Sequence, residues 1–283
     1  MIPLALWPIE ERRAITGIFT DIDDTLTTDG AITPDALAAL ANLKAAGLHV
    51  IPITGRPVGW SVPFAQDDAA LGVAPWPVDA IVAENGAVAL FSDKKSLQPS
   101  SNMHSQLLKI YQQSAATRSM NFARMQQVAQ RVLREVPGAK VSQDSPGRET
   151  DIAIDHSEFT HLSAEKIAQA VQIMRNEGMN ATVSSIHING WFGAHNKLQG
   201  ARWIVRELLG RDLDAELEHW AYVGDSTNDQ LMFAHFAHSI GVANIRRFEP
   251  ELACKPRYIT KGERGAGFAE VARAILQGRG QFG

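Results

Sequence analysis

A single cysteine, Cys254, occurs in the 283 residues, so no intrachain disulfide can form and no thiolate metal cluster can be built. That scarcity suits a reducing compartment. No stretch approaches the ~18 consecutive apolar residues of a membrane span, and the opening MIPLALWPIEERR holds a short apolar patch without a basic leader. A cytoplasmic protein with no membrane partner is therefore expected. Basic residues do not exceed acidic ones, 27 against 31, and they are dispersed. The net charge of −4 leaves no electrostatic footprint for a polyphosphate backbone, which argues against a nucleic-acid partner. Internal repeats and low-complexity tracts are lacking, and 22 glycines with 13 prolines are too few for a disordered chain.

What is present is an ordinary globular composition, 45% hydrophobic and 20% charged, in a length that fits one large domain or two unequal ones. The apolar residues Ile15, Gly17, Ile18 and Phe19 predict a short buried strand over 16–21. Thr33 as N-cap and Pro34 as first helical residue then open a helix that Gly47 closes. LHVIPIT, 48–54, is a second, nearly continuous apolar run, as in a parallel strand covered on both faces, so strand, helix and strand make a βαβ unit. AIVAENG, 80–86, predicts a third strand. The same grammar returns with a helix from about Leu198 to Leu209, strand WAYVG at 220–224, a helix from about Asn228 and strand SIGVA at 239–243. Between these halves the pattern changes. The polar stretch SDKKSLQPSSN precedes predicted helices near 103–116, 121–135 and 163–177 and strands near 151–155 and 181–188. This mixture predicts an α+β insertion with its own core.

Acidic residues crowd behind the first strand, with Asp21, Asp23, Asp24 and Asp29 inside FTDIDDTLTTDG. Two carboxylates about 4 Å apart at an effective dielectric near 20 repel by roughly 4 kcal/mol, so the crowding needs a cation, a proton or exposure. Ligands of an open parallel sheet bind at the carboxyl ends of its strands. Three such ends carry Asp21 with Asp23, Thr54 with Gly55 and Arg56, and Asp225 with Asp229. Asp21 and Asp23 share a side in extended geometry, and Asp225 on a neighbouring strand would complete an oxygen-rich nest suited to Mg²⁺. Asp24 reads as an exposed or backbone-capping turn residue and Asp29, before Gly30, as a turn residue.

DIDDT at 21–25, ITGRP at 53–57, NK at 196–197 and GDSTND at 224–229 resemble, in order, the four motifs of the haloacid-dehalogenase superfamily of phosphatases. AENGA at 83–87 and the large insertion further resemble its Cof-type and sucrose-phosphatase-like branch, and the resemblance spans essentially the whole chain. It implies an α/β, Rossmann-like core with a parallel sheet, formed by 1–88 and 195–283, and an inserted α+β cap over 89–194. It also implies an aspartyl-phosphate on Asp21, with Asp23 protonating the leaving alkoxide and then deprotonating water. Thr54 and Gly55 would hold phosphate oxygens, and Lys197 would offset charge on Asp21 and phosphate. Mg²⁺ would take oxygens of Asp21, Asp23 (backbone carbonyl) and Asp225, with Asn228 and Asp229 behind them. Many relatives have glycine where Asp24 stands.

The expected activity is Mg²⁺-dependent hydrolysis of a small phosphorylated metabolite, such as a sugar phosphate or phosphorylated glycoside, with oligomeric state open. A phosphomutase on the same core is the alternative, and a phosphoaspartate signalling or binding protein is more remote. Substrate contacts are expected from Arg56 and, in the cap, from Arg148 and Glu149 in SPGRETD and His187 and Asn189 in IHING. Trp60, Trp76 and Trp191 read as packing residues, and His195 as a satisfied or exposed histidine. Cap hinges are expected near 87–92 and 192–196.

Overall fold

The computed structural model describes residues 1–66, 74–92 and 107–281. Six parallel strands run across the main sheet in the order Ile2–Pro3, Tyr258–Ile259, His238–Gly241, Trp220–Gly224, Gly17–Thr20 and His49–Pro52. The chain is α/β. Successive side chains of a strand point to opposite faces, so the apolar runs serve two cores at once. Ile18 and Val50 pack with the helices Pro34–Ala45 and Arg264–Gly278, whereas Phe19, Ile51, Trp220 and Tyr222 pack with Lys197–Leu209 and Gln230–His235. The expected helix start is built as read, with Pro34 first and the Thr33 hydroxyl accepting from the Ala36 N–H.

The third expected strand is shorter, Ile81–Ala83, and joins the sheet through a single parallel bridge between Ile53 and Val82. Glu84 and Asn85 follow with φ of 48° and 55°, a left-handed turn that stops it. Strands Val88–Ser92 and Leu107–Tyr111 pair antiparallel onto it. A helix expected near 103–116 is thus overturned over its described part, because LLKIY alternates at period two on this sheet and the helix begins only at Ala115, capped by Ser114. Part of that expectation, 103–106, and most of SDKKSLQPSSN lie outside the described residues.

A second core lies within the expected insertion. Its antiparallel sheet runs Asn180–Val183, His187–Trp191, Ile152–Asp155 and Lys140–Val141. Helices Ala115–Glu135 and Ala164–Asn176 bury Met125, Val132, Ile173 and Met174 against it. The single strand expected over 181–188 is a hairpin instead. The Ser184 hydroxyl accepts from the N–H groups of Ile186 and His187, which turns the chain where an uninterrupted ladder was expected. The helix expected from Asn228 begins at Gln230, after a tight turn Thr227–Asp229. Among the described residues no helix is long and apolar enough to cross a membrane.

Trp60, Phe64 and Trp76 form one aromatic cluster, so the first two tryptophans pack as expected. Trp191 is buried and donates to the His195 carbonyl. His195 departs from expectation. It is buried against the Trp191 ring, neither ring nitrogen has a hydrogen-bond partner, and burial pushes it down to about 4.

Candidate active site

The register of the parallel strands brings the acids together. Asp21 leaves its strand with its N–H on the Val223 carbonyl at 2.8 Å, beside the strand that ends in Gly224 and Asp225. Single carboxylate oxygens of Asp21, Asp225 and Asp229 lie within 4.8 Å of one another, and all three residues are buried. Lys197, the first residue of its helix and 3% exposed, donates to Asp21 Oδ1 and Asp229 Oδ1, each at 2.7 Å. Burial works against the Lys197 charge, but Asp21 and Asp229 outweigh it and raise its proton affinity.

Asp229 is saturated. Its Oδ1 accepts from Lys197 and the Tyr222 hydroxyl, and its Oδ2 accepts from the N–H groups of Asp225 and Ser226 at 3.0 and 3.1 Å. A Cβ on residue 224 would sit 2.4 Å from Asp229 Oδ2, so this fold of the loop requires Gly224. Asn228 accepts from the Ser226 hydroxyl and, with Lys197, lines a smaller cavity of about 340 Å³.

Asp225 differs. Its Oδ2 accepts from Asn244 at 3.0 Å and Arg247 at 3.2 Å, whereas its Oδ1 is buried with no partner. Burial, then the charges of Asp21, Asp229 and Asp24, push the Asp225 carboxyl well up, and Arg247 only partly opposes them. Burial also takes Asp21 up to about 7 despite Lys197, with Asp229 and Asp23 adding to the rise. One lysine does not neutralise this crowd. An orphaned buried oxygen among oxygen donors is what a hard divalent cation would satisfy, so the residues fit a metal held by Asp21 and Asp225.

Thr54 is buried, and its Oγ1 accepts from the Arg56 N–H at 3.0 Å. Gly55 lies under the insertion: a Cβ there would come within 3.1 Å of Asn189 Oδ1, and its carbonyl accepts from Arg148 at 3.0 Å and Asn189 at 3.4 Å. Arg148 and Asn189 also converge on Asp151, at 2.7 and 3.2 Å. Asp151 is pushed up to about 7 by burial, with Arg148 opposing and Glu84 adding. These two residues therefore brace the phosphate-loop candidate from above. Glu149 is not brought to the site. Its carboxylate is held by Lys109, Tyr111 and Arg118 and does not line the large cleft.

Asp23 stands at the mouth, and Arg56 Nε donates to both its oxygens at 2.9 and 3.0 Å. Arg56 also reaches Asp144 at 3.1 Å and Glu158 at 2.9 Å, and His187 Nε2 lies 2.8 Å from the other Glu158 oxygen. Asp23, Arg56 and Glu158 line a cleft of about 1370 Å³ between the two cores, together with Phe159, Ser185 and Gln230. Asp24 also lines it; it lies in a turn as expected, but its side chain is neither exposed nor a backbone cap, being paired with arginines instead. At φ 55° it pairs with Arg247 at 2.8 Å and Arg264 at 3.1 Å, cations that stand hundreds of residues away in sequence. Asp29, at φ 52°, is an exposed turn residue as expected.

Burial would raise the Asp144 carboxyl, but Arg148, His187, the Ser142 hydroxyl and Arg56 outweigh it and hold it at about 2, against 3.8 unperturbed. A depressed carboxyl stabilises the fold fully above its unfolded value and loses that stabilisation as pH falls through the folded one. Asp144→Asn is thus expected to cost on the order of 2 kcal/mol near neutrality and little near pH 2, a convergence checked by melting both proteins across that range. A pH-independent difference would contradict it.

Asp144, Glu158, Asn244 and Arg247 are absent from the motif reading. Glu158 is signalled only by its place in a polar loop after a strand, and the others by nothing in the local sequence.

Comparison with known proteins supplies the family. A family model described as haloacid dehalogenase-like hydrolase matches residues 18–270. No curated protein sequence matches at comparable significance. The 0175 protein of Thermoplasma acidophilum aligns with a TM-score of 0.64 at 15% identity, over 92% of this chain and 98% of that one. The sucrose-phosphatase of Synechocystis sp. PCC6803, solved with sucrose and phosphate, aligns at 0.60 and 14%, over 93% and 98%. A haloacid dehalogenase-like hydrolase of B. subtilis aligns at 0.61 and 14%, over 92% and 99%. At such identities the likeness is one of fold, and the family model carries the membership: the chain belongs to the haloacid dehalogenase-like hydrolases, and it is a hydrolase.

Proposed function

We propose that the protein is a phosphomonoester hydrolase acting through an aspartyl-phosphate on Asp21. The observation that carries this reading is the buried Asp21 with Lys197 at 2.7 Å and the unpartnered Asp225 Oδ1 beside it. A carboxylate so placed, its charge partly offset by Lys197 at the strand ends, is suited to act as a nucleophile on a phosphate ester.

In the first step an Asp21 oxygen bonds to phosphorus as the ester P–O bond breaks, and Asp23 gives its proton to the leaving oxygen. In the second, Asp23 takes a proton from water as that water attacks the phosphorus and Asp21 is released. The Thr54 hydroxyl, whose oxygen accepts from Arg56 and whose hydrogen is left to donate, would hold a phosphate oxygen with Gly55. Lys197 would hold another while remaining fixed by Asp229. Mg²⁺, held by Asp21, the Asp23 carbonyl and Asp225, would supply charge neutralisation at the transferring phosphoryl group.

The substrate in this reading is a small polar phosphate ester of a cytoplasmic metabolite, a sugar phosphate or phosphorylated glycoside. The insertion over 89–194 would be the cap, its core built from 115–192, with Arg56 and His187 near the leaving group. The test is a screen of phosphate esters with Mg²⁺, with Asp21→Asn as control. Saturable phosphate release by the native protein alone is expected, and release by both proteins or neither across a broad panel would overturn the reading. Chelation is expected to bring the native rate down to that of Asp21→Asn, with added Mg²⁺ restoring it, and a rate indifferent to chelator would remove the metal.

A further inference from the structure

We infer that Arg56 is a positioning residue that couples the docking of the insertion to the orientation of Asp23, through Asp144 and Glu158. The inference rests on the reading of Asp23 as proton donor. Arg56 is 5% exposed, and its guanidinium bonds three carboxylates from two cores. Nε lies 2.9 and 3.0 Å from the two oxygens of Asp23 and Nη2 lies 2.9 Å from its Oδ1, a two-nitrogen fork that holds the carboxylate in place and orientation. Nη1 donates to Asp144 Oδ2, and Nη2 also donates to Glu158 Oε1. The Trp60 ring, 5.2 Å from the guanidinium carbon, closes a further side. With its donors so committed, Arg56 has little left for a substrate and acts on Asp23.

The insertion's half of the clasp is itself rigid. Asp155 accepts from the N–H groups of Ser157, Glu158 and Phe159, which holds the loop that presents Glu158. His187 backs Glu158 at 2.8 Å, and the Ser142 hydroxyl and Arg148 back Asp144 at 2.6 and 3.1 Å. The Thr227 hydroxyl, in the turn beside Asp229, donates to the Val183 carbonyl at 2.7 Å, a docking contact apart from those of Gly55 and Glu84. Separating the cores would strip two of three partners from Arg56, and the fork on Asp23 would lose its anchor. Asp23 would then be aimed at the leaving oxygen only while the insertion is docked.

The proton that Asp23 delivers matters for a poor leaving group and hardly for a good one. The informative quantity is therefore the ratio of kcat/KM for the best alkyl phosphate of the screen to kcat/KM for p-nitrophenyl phosphate. Asp23→Asn calibrates it, with an expected fall of about 100-fold or more. Glu158→Gln keeps shape and leaves Arg56 in place, and Arg56→Lys keeps the charge without the fork. Each is expected to lower the ratio about tenfold, part of that full loss. A merely structural role would lower both substrates together, and an unchanged ratio in Glu158→Gln and Arg56→Lys beside an intact Asp23→Asn effect overturns the inference alone. An Asp23→Asn enzyme that does not discriminate removes the proton-donor reading and the inference with it.

Discussion

Asp21→Asn is expected to abolish phosphate release, a loss of more than about 10⁴-fold, because the neighbouring acids have other proposed tasks: Asp229 is held by four donors, Asp225 would hold the metal and Asp23 is held by Arg56. The amide is close to isosteric and can still face Lys197, so the protein should fold. Removing one charge from a site where burial and three neighbouring acids oppose ionisation should even stabilise the metal-free protein. The combination separates chemistry from structure: lost activity with an equal or higher melting temperature in chelator. Retained turnover would dispose of Asp21 as nucleophile. Asp24→Asn serves as the control, since that side chain pairs with Arg247 and Arg264 and not with Asp21 or Lys197, and it should keep much of the activity.

Glu84→Ala should produce the largest loss of stability. This carboxylate is fully buried, and it accepts from the N–H groups of Val58, Glu149 and Thr150 and from the Thr150 hydroxyl. It ties the helix after the phosphate-loop candidate to the segment that carries Arg148. Burial raises the Glu84 carboxyl, and Thr150, Arg148 and the backbone donors pull it back, so the group depends wholly on these bonds. Truncation strands buried donors at about 1–3 kcal/mol each and leaves Arg148 with one fewer acid nearby. A loss of roughly 3–5 kcal/mol is expected from urea unfolding, with a reduced slope if the two cores then unfold separately. A loss under about 1 kcal/mol would mean that water replaces the carboxylate, contrary to its burial.

The elements that the sequence announced most clearly are those whose cause is local. Largely apolar stretches within 16–21, 48–54 and 220–224 predicted buried strands of one sheet, and the strands at Gly17–Thr20, His49–Pro52 and Trp220–Gly224 are there. Thr33 with Pro34 marked a helix start through chemistry confined to four residues. Leu107–Tyr111 and the hairpin at Ser184 were missed for a related reason. Short apolar stretches carry either periodicity, and the partner strand that decides between them is remote in sequence.

By itself the sequence determined the family and the α/β class and named the residues of the four motifs, because three are short segments at strand ends and the fourth opens a helix, so chemistry and placement are coded together locally. The tertiary structure alone decided the pairing of charges. Asp23 lies 33 residues from Arg56, Asp24 lies 223 from Arg247, and Arg56 lies 102 from Glu158, separations at which one-dimensional pattern carries no contact information. Burial decided the rest. It left Asp225 with an oxygen unanswered while Asp229 was saturated by four donors. That difference between two acids four residues apart arises from what the fold packs around each, and it separates the acid proposed to hold a metal from the residue that holds the lysine.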